Sequence, residues 1–140
     1  MSKIRKEAGM RVRREVLGDD YVDRAVAKTT PFTADFQDFI TQVAWADVWG
    51  RPDLDRRTRS CITLAMLTAL GREHEIALHV RGAVRNGVTG REIAEILIHA
   101  AVYAGIPAAN RAFQIAETVL NEIAKENAAP PAPHSKGSPT

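Results

Sequence analysis

Cysteine is nearly absent from this chain: Cys61 is the only one in 140 residues. That excludes an intramolecular disulfide and a multi-cysteine metal site, and it fits a reducing compartment. Charge of one sign is lacking as well. With 19 lysines and arginines against 17 aspartates and glutamates, the formal net charge is +2, too small by itself to indicate a nucleic-acid partner. There is no long unbroken apolar run. The longest, Ile93 to Ala109, is interrupted by Glu95 and His99 and followed by Asn110 and Arg111, so it reads as a buried helix and not a membrane span. No basic-then-apolar leader opens the chain, and the default expectation is the cytoplasm. Also missing are a glycine-rich phosphate loop, a Ser/His/Asp arrangement and a DNA-reading motif.

What is present is globular. Hydrophobic residues make up 45% and charged ones 26%, enough apolar material at this length for one domain with a real core. Basic residues cluster early, with Lys3, Arg5, Lys6, Arg11, Arg13 and Arg14 facing only Glu7 and Glu15. That cluster reads as a solvated helix face or a fraying terminus in preference to a binding arm.

Nearly every segment carries a helical period, and no convincing strand alternation occurs. Helices are expected over about Ile4 to Leu17 and Asp20 to Lys28, with Pro31 breaking the chain. In the next segment Phe36, Phe39 or Ile40, Val43 and Ala46 recur at spacings of three and four, between Thr33 as N-cap and Gly50 as stop. The following helix is expected to bury Ile62, Ala65, Met66 and Leu70. The stretch "REHEIALHVRGAVRNG" makes a fifth helix, closed by Asn86-Gly87. Thr89 and Glu92 form a capping box for a sixth that is apolar nearly all round, and a last helix runs from about Pro107 to Glu126. The expected fold is all-α, with six to seven helices over residues 1–126 and a disordered tail over 127–140. So apolar a sixth helix in so small a chain implies cover from a partner subunit.

The residues able to do chemistry concentrate in the fifth helix. Arg72, Glu75, His79 and Gly82 share one stripe, beside a core stripe of Ile76, Val80, Ala83 and Val84. A carboxylate four residues before a histidine can fix its tautomer and raise its pKa, as suits a general acid or base. Spacing alone favours the plainer reading, a helix-surface ion pair worth a few tenths of a kcal/mol. His74 falls on another face with Leu78 and Arg81 and reads as solvent-facing. Glu75, His79 and His99 are conceivable metal ligands, but no recognised zinc spacing such as His-Glu-x-x-His occurs, and no metal is expected. Cys61, among Ile62, Leu64 and Ala65, reads as a small core residue. Arg56, Arg57 and Arg59 open a helix close in sequence to Trp45 and Trp49, where a guanidinium can grip a carboxylate beside a drying aromatic wall. Exposed capping-region charge is the plain alternative for at least two of the three. Asn110 and Arg111, at a helix start, can likewise present donors to an anion.

The text from Arg13 to about Glu122 resembles the carboxymuconolactone decarboxylase branch of the alkylhydroperoxidase-like family. The most specific stretches are "TRS…LTALGREHEIALH" and "VYAGIPAANRAF"; His79, Ala83 and Gly87 also satisfy the wider family's His-x-x-x-Ala-x-x-x-Gly pattern. Peroxidase relatives place a CxxC pair where this chain has Arg72 and Glu75, and a relay glutamate near Ser60, so thiol chemistry is excluded here on residue type. The resemblance implies a helical protomer in a ring-like homo-oligomer, a hexamer. It implies cofactor-free decarboxylation of 4-carboxymuconolactone to 4-oxoadipate enol-lactone in the protocatechuate branch of the β-ketoadipate pathway, with His79 as the matching active-site histidine. Under that reading His79 donates the proton and Glu75 orients it. Arg59, then Arg72 or Arg81, bind substrate carboxylates, and Trp45, Trp49 and Tyr103 wall the pocket, with Asn110 a further substrate contact. Departures from the usual decarboxylase text are Ala46 for glycine, His74 for glutamate and His99 for glutamine. They bear on specificity more than on reaction type, and two alternatives stay open: a decarboxylase or lactone-processing homologue acting on another small acid, and a non-catalytic helical oligomer that binds a small acid.

Overall fold

The structure, a computed structural model, describes residues 2–129. Among these residues all regular structure is helical, as the periodicity requires: α1 (Ser2–Leu17), α2 (Asp19–Ala27), α3 (Ala34–Phe39) running straight into a π-helical segment (Ile40–Val48), α4 (Arg56–Leu70), α5 (Glu73–Arg85), α6 (Gly90–Ala104) and α7 (Ile106–Ala128). The expected tail begins at residue 127, yet Asn127 and Ala128 still belong to α7; the part from Pro130 onward lies outside the described residues. No helix of the described residues is long and apolar enough to cross a membrane.

Local chemistry explains both ends of α4 and the start of α6. Asp55 caps α4 by accepting from the Thr58 amide at 2.7 Å, and Gly71, at φ 68°, supplies the left-handed turn that stops it. The capping box is complete: the Thr89 amide donates to Glu92 at 3.0 Å and the Glu92 amide to the Thr89 hydroxyl at 3.1 Å. Thr33 departs from expectation. Its hydroxyl accepts from the Thr30 amide at 3.0 Å, closing the preceding turn, and leaves α3 without a side-chain cap.

Two cores share α5. One joins α4 to α7 through Leu64, Ile76, Val80, Ala83, Ile93, Leu97, Ala112, Ala116 and Val119. The other joins α1, α2 and the π segment through Val12, Val16, Leu17, Val22 and Trp45, with Leu78 of α5 packed on it. Gly82 lets α5 approach α1: a Cβ there would stand 3.3 Å from the Val16 carbonyl oxygen.

Two expected stripes are turned outward. On α4 the buried line is Ser60, Leu64 and Thr68, while Ile62, Met66 and Leu70 face out, Met66 at 59% exposure. In the α3–π stretch the buried residues are Thr41 and Trp45, with Phe36, Phe39 and Val43 exposed. The cause differs between them. α4 carries apolar residues on two faces, and the protomer core needs only one. From Ile40 on, the π segment changes the helical period, so Val43 and Ala46 no longer continue the stripe that Phe36 and Phe39 begin on α3. α6 behaves like α4: Ile93, Leu97 and Ala100 go inward, and Ile98, Val102 and Tyr103 outward, Val102 at 76% exposure.

Candidate active site

The π segment exists in close contact with α1. At Gly9 a Cβ would lie 2.0 Å from the Thr41 carbonyl oxygen, a separation that no side chain could occupy. With Gly9 in place, the two backbones press together, and the Thr41 hydroxyl turns back to donate to the Gln37 carbonyl at 2.8 Å. That contact fixes where the next turn points Trp45. π segments are rare and recur at functional sites because they re-aim side chains.

Trp45 and Trp49 stack with centroids 5.3 Å apart, and His79 of α5 lies nearly parallel to both, 6.4 Å from Trp45 and 6.1 Å from Trp49. His79 is 9% exposed. Its Nδ1 is buried with no hydrogen-bond partner, one of three such side-chain atoms among the described residues. Buried polar atoms are almost always paired, so an orphan calls for a reason, and a ligand or water that completes it is one. Burial also lowers the His79 pKa from 6.5 to about 4, because desolvation penalises the imidazolium. The expected effect of a neighbouring carboxylate, a raised pKa, is therefore reversed: Glu75 is exposed, and Nδ1 takes no bond from it.

Another of the three orphans belongs to Arg59. Its Nε is buried without a partner, and its Nη2 donates to the Arg51 carbonyl at 3.4 Å, in the loop that leaves Trp49. Its two neighbours are committed elsewhere, Arg56 to Glu15 and Arg57 to Glu92. Of the three arginines opening α4, Arg59 alone has no carboxylate among the described residues.

The other anticipated site residues scatter. Arg72 is exposed at the start of α5. Arg81 is held by Glu122 at 2.9 Å and Glu126 at 3.0 Å on α7, and these bonds, Glu126 first, raise its pKa. Tyr103 stands exposed with its ring 5.1 Å from His99, so it walls nothing within the protomer. Asn110 is exposed in the first turn of α7, and its neighbour Arg111 pairs with Glu73 at 2.7 Å. Glu75, His79 and His99 do not converge; among the described residues no three His, Cys, Asp or Glu side chains could hold a metal ion. Ser60 is buried and accepts from Asn86 Nδ2 at 2.9 Å. Sequence reasoning missed Arg13. Placed with the solvated basic face, it is buried at 6% exposure, because it shares the stripe of Gly9, Val12 and Val16 that meets the π segment and α5.

Comparison with known proteins gives this geometry a family. Residues 34–118, which span the π segment, Arg59 and His79, match the carboxymuconolactone decarboxylase family. The chain belongs to that family. It is similar to 4-carboxymuconolactone decarboxylase of Acinetobacter baylyi, 46% identical over 85% of this chain and 89% of that one. It is also similar to the nitrosuccinic acid decarboxylase of Metarhizium robertsii, 44% identical over 84% of this chain and 82% of the relative. A shorter sequence, a 4-carboxymuconolactone decarboxylase of Pseudomonas putida, is 51% identical over 32% of this chain and 94% of its own length.

Proposed function

We propose that the protein decarboxylates 4-carboxymuconolactone without a cofactor, giving 4-oxoadipate enol-lactone. The observation that carries this reading is His79, dry and unpartnered against Trp45 and Trp49, with Arg59, which has no carboxylate among the described residues, bonded to the loop that leaves Trp49. The substrate needs little from the protein in electronic terms. Its departing carboxylate sits γ to the lactone carbonyl, across a conjugated double bond. As the C–CO2 bond breaks, its electron pair moves through that double bond onto the carbonyl oxygen, giving a dienolate. A proton must then be delivered to the carbon α to the carbonyl.

The surroundings of His79 suit that delivery. Alone in its slot the imidazole is neutral at neutral pH, since burial holds its pKa near 4. A dianionic substrate entering the same dry space offers the imidazolium a counter-charge and favours its protonation. Once CO2 has left, one negative charge remains on the dienolate, and the desolvated imidazolium is a strong acid towards it. Proton transfer returns His79 to the neutral state that its surroundings prefer. Arg59 grips the carboxylate that stays, and the tryptophans keep water from the charge that is lost. Glu75, one turn ahead on the same stripe, reaches the imidazole by a change of rotamer and acts as a positioning residue.

The outward apolar residues of α4 and α6 support assembly. Ile62, Met66, Leu70, Ile98 and Val102, with Ile106 at the start of α7, are large apolar side chains left exposed, and a homo-oligomer, a hexamer in this reading, covers them. Tyr103, exposed within one protomer, then has the opportunity to contribute to a neighbour's site. The free thiol of Cys61 and the small-molecule chemistry suit the cytoplasm.

The test is an absorbance assay for loss of the conjugated lactone, run with a chelator and with no added cofactor. Saturable turnover is expected, and its absence with a well-folded protein refutes the assignment. The Metarhizium relative motivates a second reading, a smaller acid in the same slot. Nitrosuccinate also carries its own electron sink, the nitro group, and makes the same demand for a proton after CO2 leaves. A kcat/KM for nitrosuccinate above that for the lactone would select that reading.

A further inference from the structure

A cavity of about 510 Å³ opens between α1, α2, α3 and the start of α5, and it belongs to a different part of the protomer from the aromatic slot. Arg13, Arg24, Lys28 and His74 line it, with Tyr21 and Gln37 among its neutral donors, and no aspartate or glutamate does. Neither tryptophan lines it, nor Arg59, nor His79. Its size falls in the range of small-ligand sites. Three of its cations, Arg13, Arg24 and Lys28, have no carboxylate partner among the described residues, whereas Arg14, Arg56, Arg57, Arg81 and Arg111 each have at least one.

Arg13 is the informative member. At 6% exposure its guanidinium makes one hydrogen bond, from Nη1 to the Gln37 side-chain oxygen at 3.2 Å, and its Nε is buried with no partner. A buried charge is tolerated when paired, and leaving one uncompensated is expensive. No carboxylate among the described residues compensates this one, while the space in front of it is lined by further cations. We propose that this cavity binds a small organic anion carrying two or more carboxylate or phosphate groups, with Arg13 as its buried contact and Arg24 and Lys28 as its exposed ones. Three cations on one ligand select for multiple charge, so a monoanion binds far more weakly. The site lies largely outside the segment that defines the family: Arg13, Tyr21, Arg24 and Lys28 all precede residue 34, where the family match begins.

Citrate, pyrophosphate and acetate are the probes, titrated calorimetrically into the full-length protein at a fixed 0.15 M salt to screen diffuse attraction. Citrate or pyrophosphate is expected to bind saturably, once per protomer, and to raise the melting temperature, with acetate at least tenfold weaker. The tighter of the two polyanions assigns carboxylate or phosphate as the natural group. The double variant Arg24→Glu/Lys28→Glu, which changes only exposed side chains, should fold normally by circular dichroism and bind at least tenfold more weakly. Arg13→Gln should abolish binding; because it alters a buried residue, the exposed pair decides the matter if it fails to fold. His79→Ala should bind the polyanion as the wild type does. Absence of saturable binding by either polyanion overturns the proposal. So does undiminished binding by a folded double variant, or loss of binding in His79→Ala, which would put the anion in the aromatic slot.

Discussion

α5 carries His74 and His79 in two different environments. His79 faces two tryptophans in a buried slot, and burial pushes its pKa down to about 4. His74, in the first turn, is exposed at the edge of a wide cavity crowded with cations. The difference comes from what covers the helix. Near its start α5 meets the open space between α1, α2 and α3; one turn on, it meets the π segment that Gly9 allows to press inward. A dry site suits a reaction that destroys charge, and a wet cationic one suits binding that retains it.

The strongest way to break the comparison is at the dry end. His79→Ala is expected to lower kcat for lactone decarboxylation on the order of 10²-fold or more, with secondary structure unchanged by circular dichroism. Turnover close to wild type would remove His79 from the chemistry. The same residue should also leave a mark on stability. The unfolded chain takes up the His79 proton near pH 6.5, whereas the folded protein resists until about pH 4. Between those values the unfolded state binds more protons, so folding stability is full above pH 6.5 and falls as the pH drops. At about 1.4 kcal/mol per pH unit, roughly 2 kcal/mol should be lost between pH 7 and pH 5 from this group. Urea denaturation at both pH values checks it: the wild type should lose about 2 kcal/mol more than His79→Gln. Equal losses would mean that the imidazole is not desolvated as the geometry implies.

Next in size is the contact that makes the slot. Gly9→Ala forces a methyl group against the Thr41 carbonyl, where only backbone movement gives relief. The expected cost is about 1–3 kcal/mol in chemical denaturation, typical of overpacking. If the π segment indeed aims Trp45, activity should fall more than folding, because Trp45 moves with Thr41. Gly71→Ala is the contrast, since nothing lies near its Cβ and its φ of 68° makes it a test of left-handed backbone strain, which Gly9 does not carry, without displacing the slot.

How much of this could be read in the sequence depends on the range of the interaction. The Thr89–Glu92 box and the Gly71 stop are made by neighbours, and their residue types announce them. Periodicity assigns the α4 stripe of Ile62, Met66 and Leu70 to the core, because it reveals an apolar face without saying what covers it. The π segment was invisible for a stronger reason: counting at three and four presupposes the α period that it abandons. Arg81 was grouped with carboxylate-binding residues because its partners, Glu122 and Glu126, lie 41 and 45 residues away. His79 stood out through the family resemblance, since spacing alone favoured a surface pair with Glu75. Arg13 was legible in principle, as Gly9, Val12 and Val16 mark the buried face that it shares.

The smallest expected effect concerns Glu75. If the carboxylate only visits the imidazole, as its exposure implies, Glu75→Gln should lower kcat less than about tenfold while leaving KM nearly unchanged. The informative readout is the pH profile. A carboxylate that approaches His79 in the substrate complex supports the imidazolium, so removing its charge should move the basic limb of the kcat profile to lower pH. An unmoved profile would assign that support to the dianionic substrate alone, and the aromatic slot would then work without any carboxylate from its own helix. A kcat loss as large as that of His79→Ala would instead mean that Glu75 is fixed against the imidazole during turnover. The exposed rotamer would then describe only the resting enzyme, and the contrast between the two ends of α5 would depend on substrate being bound.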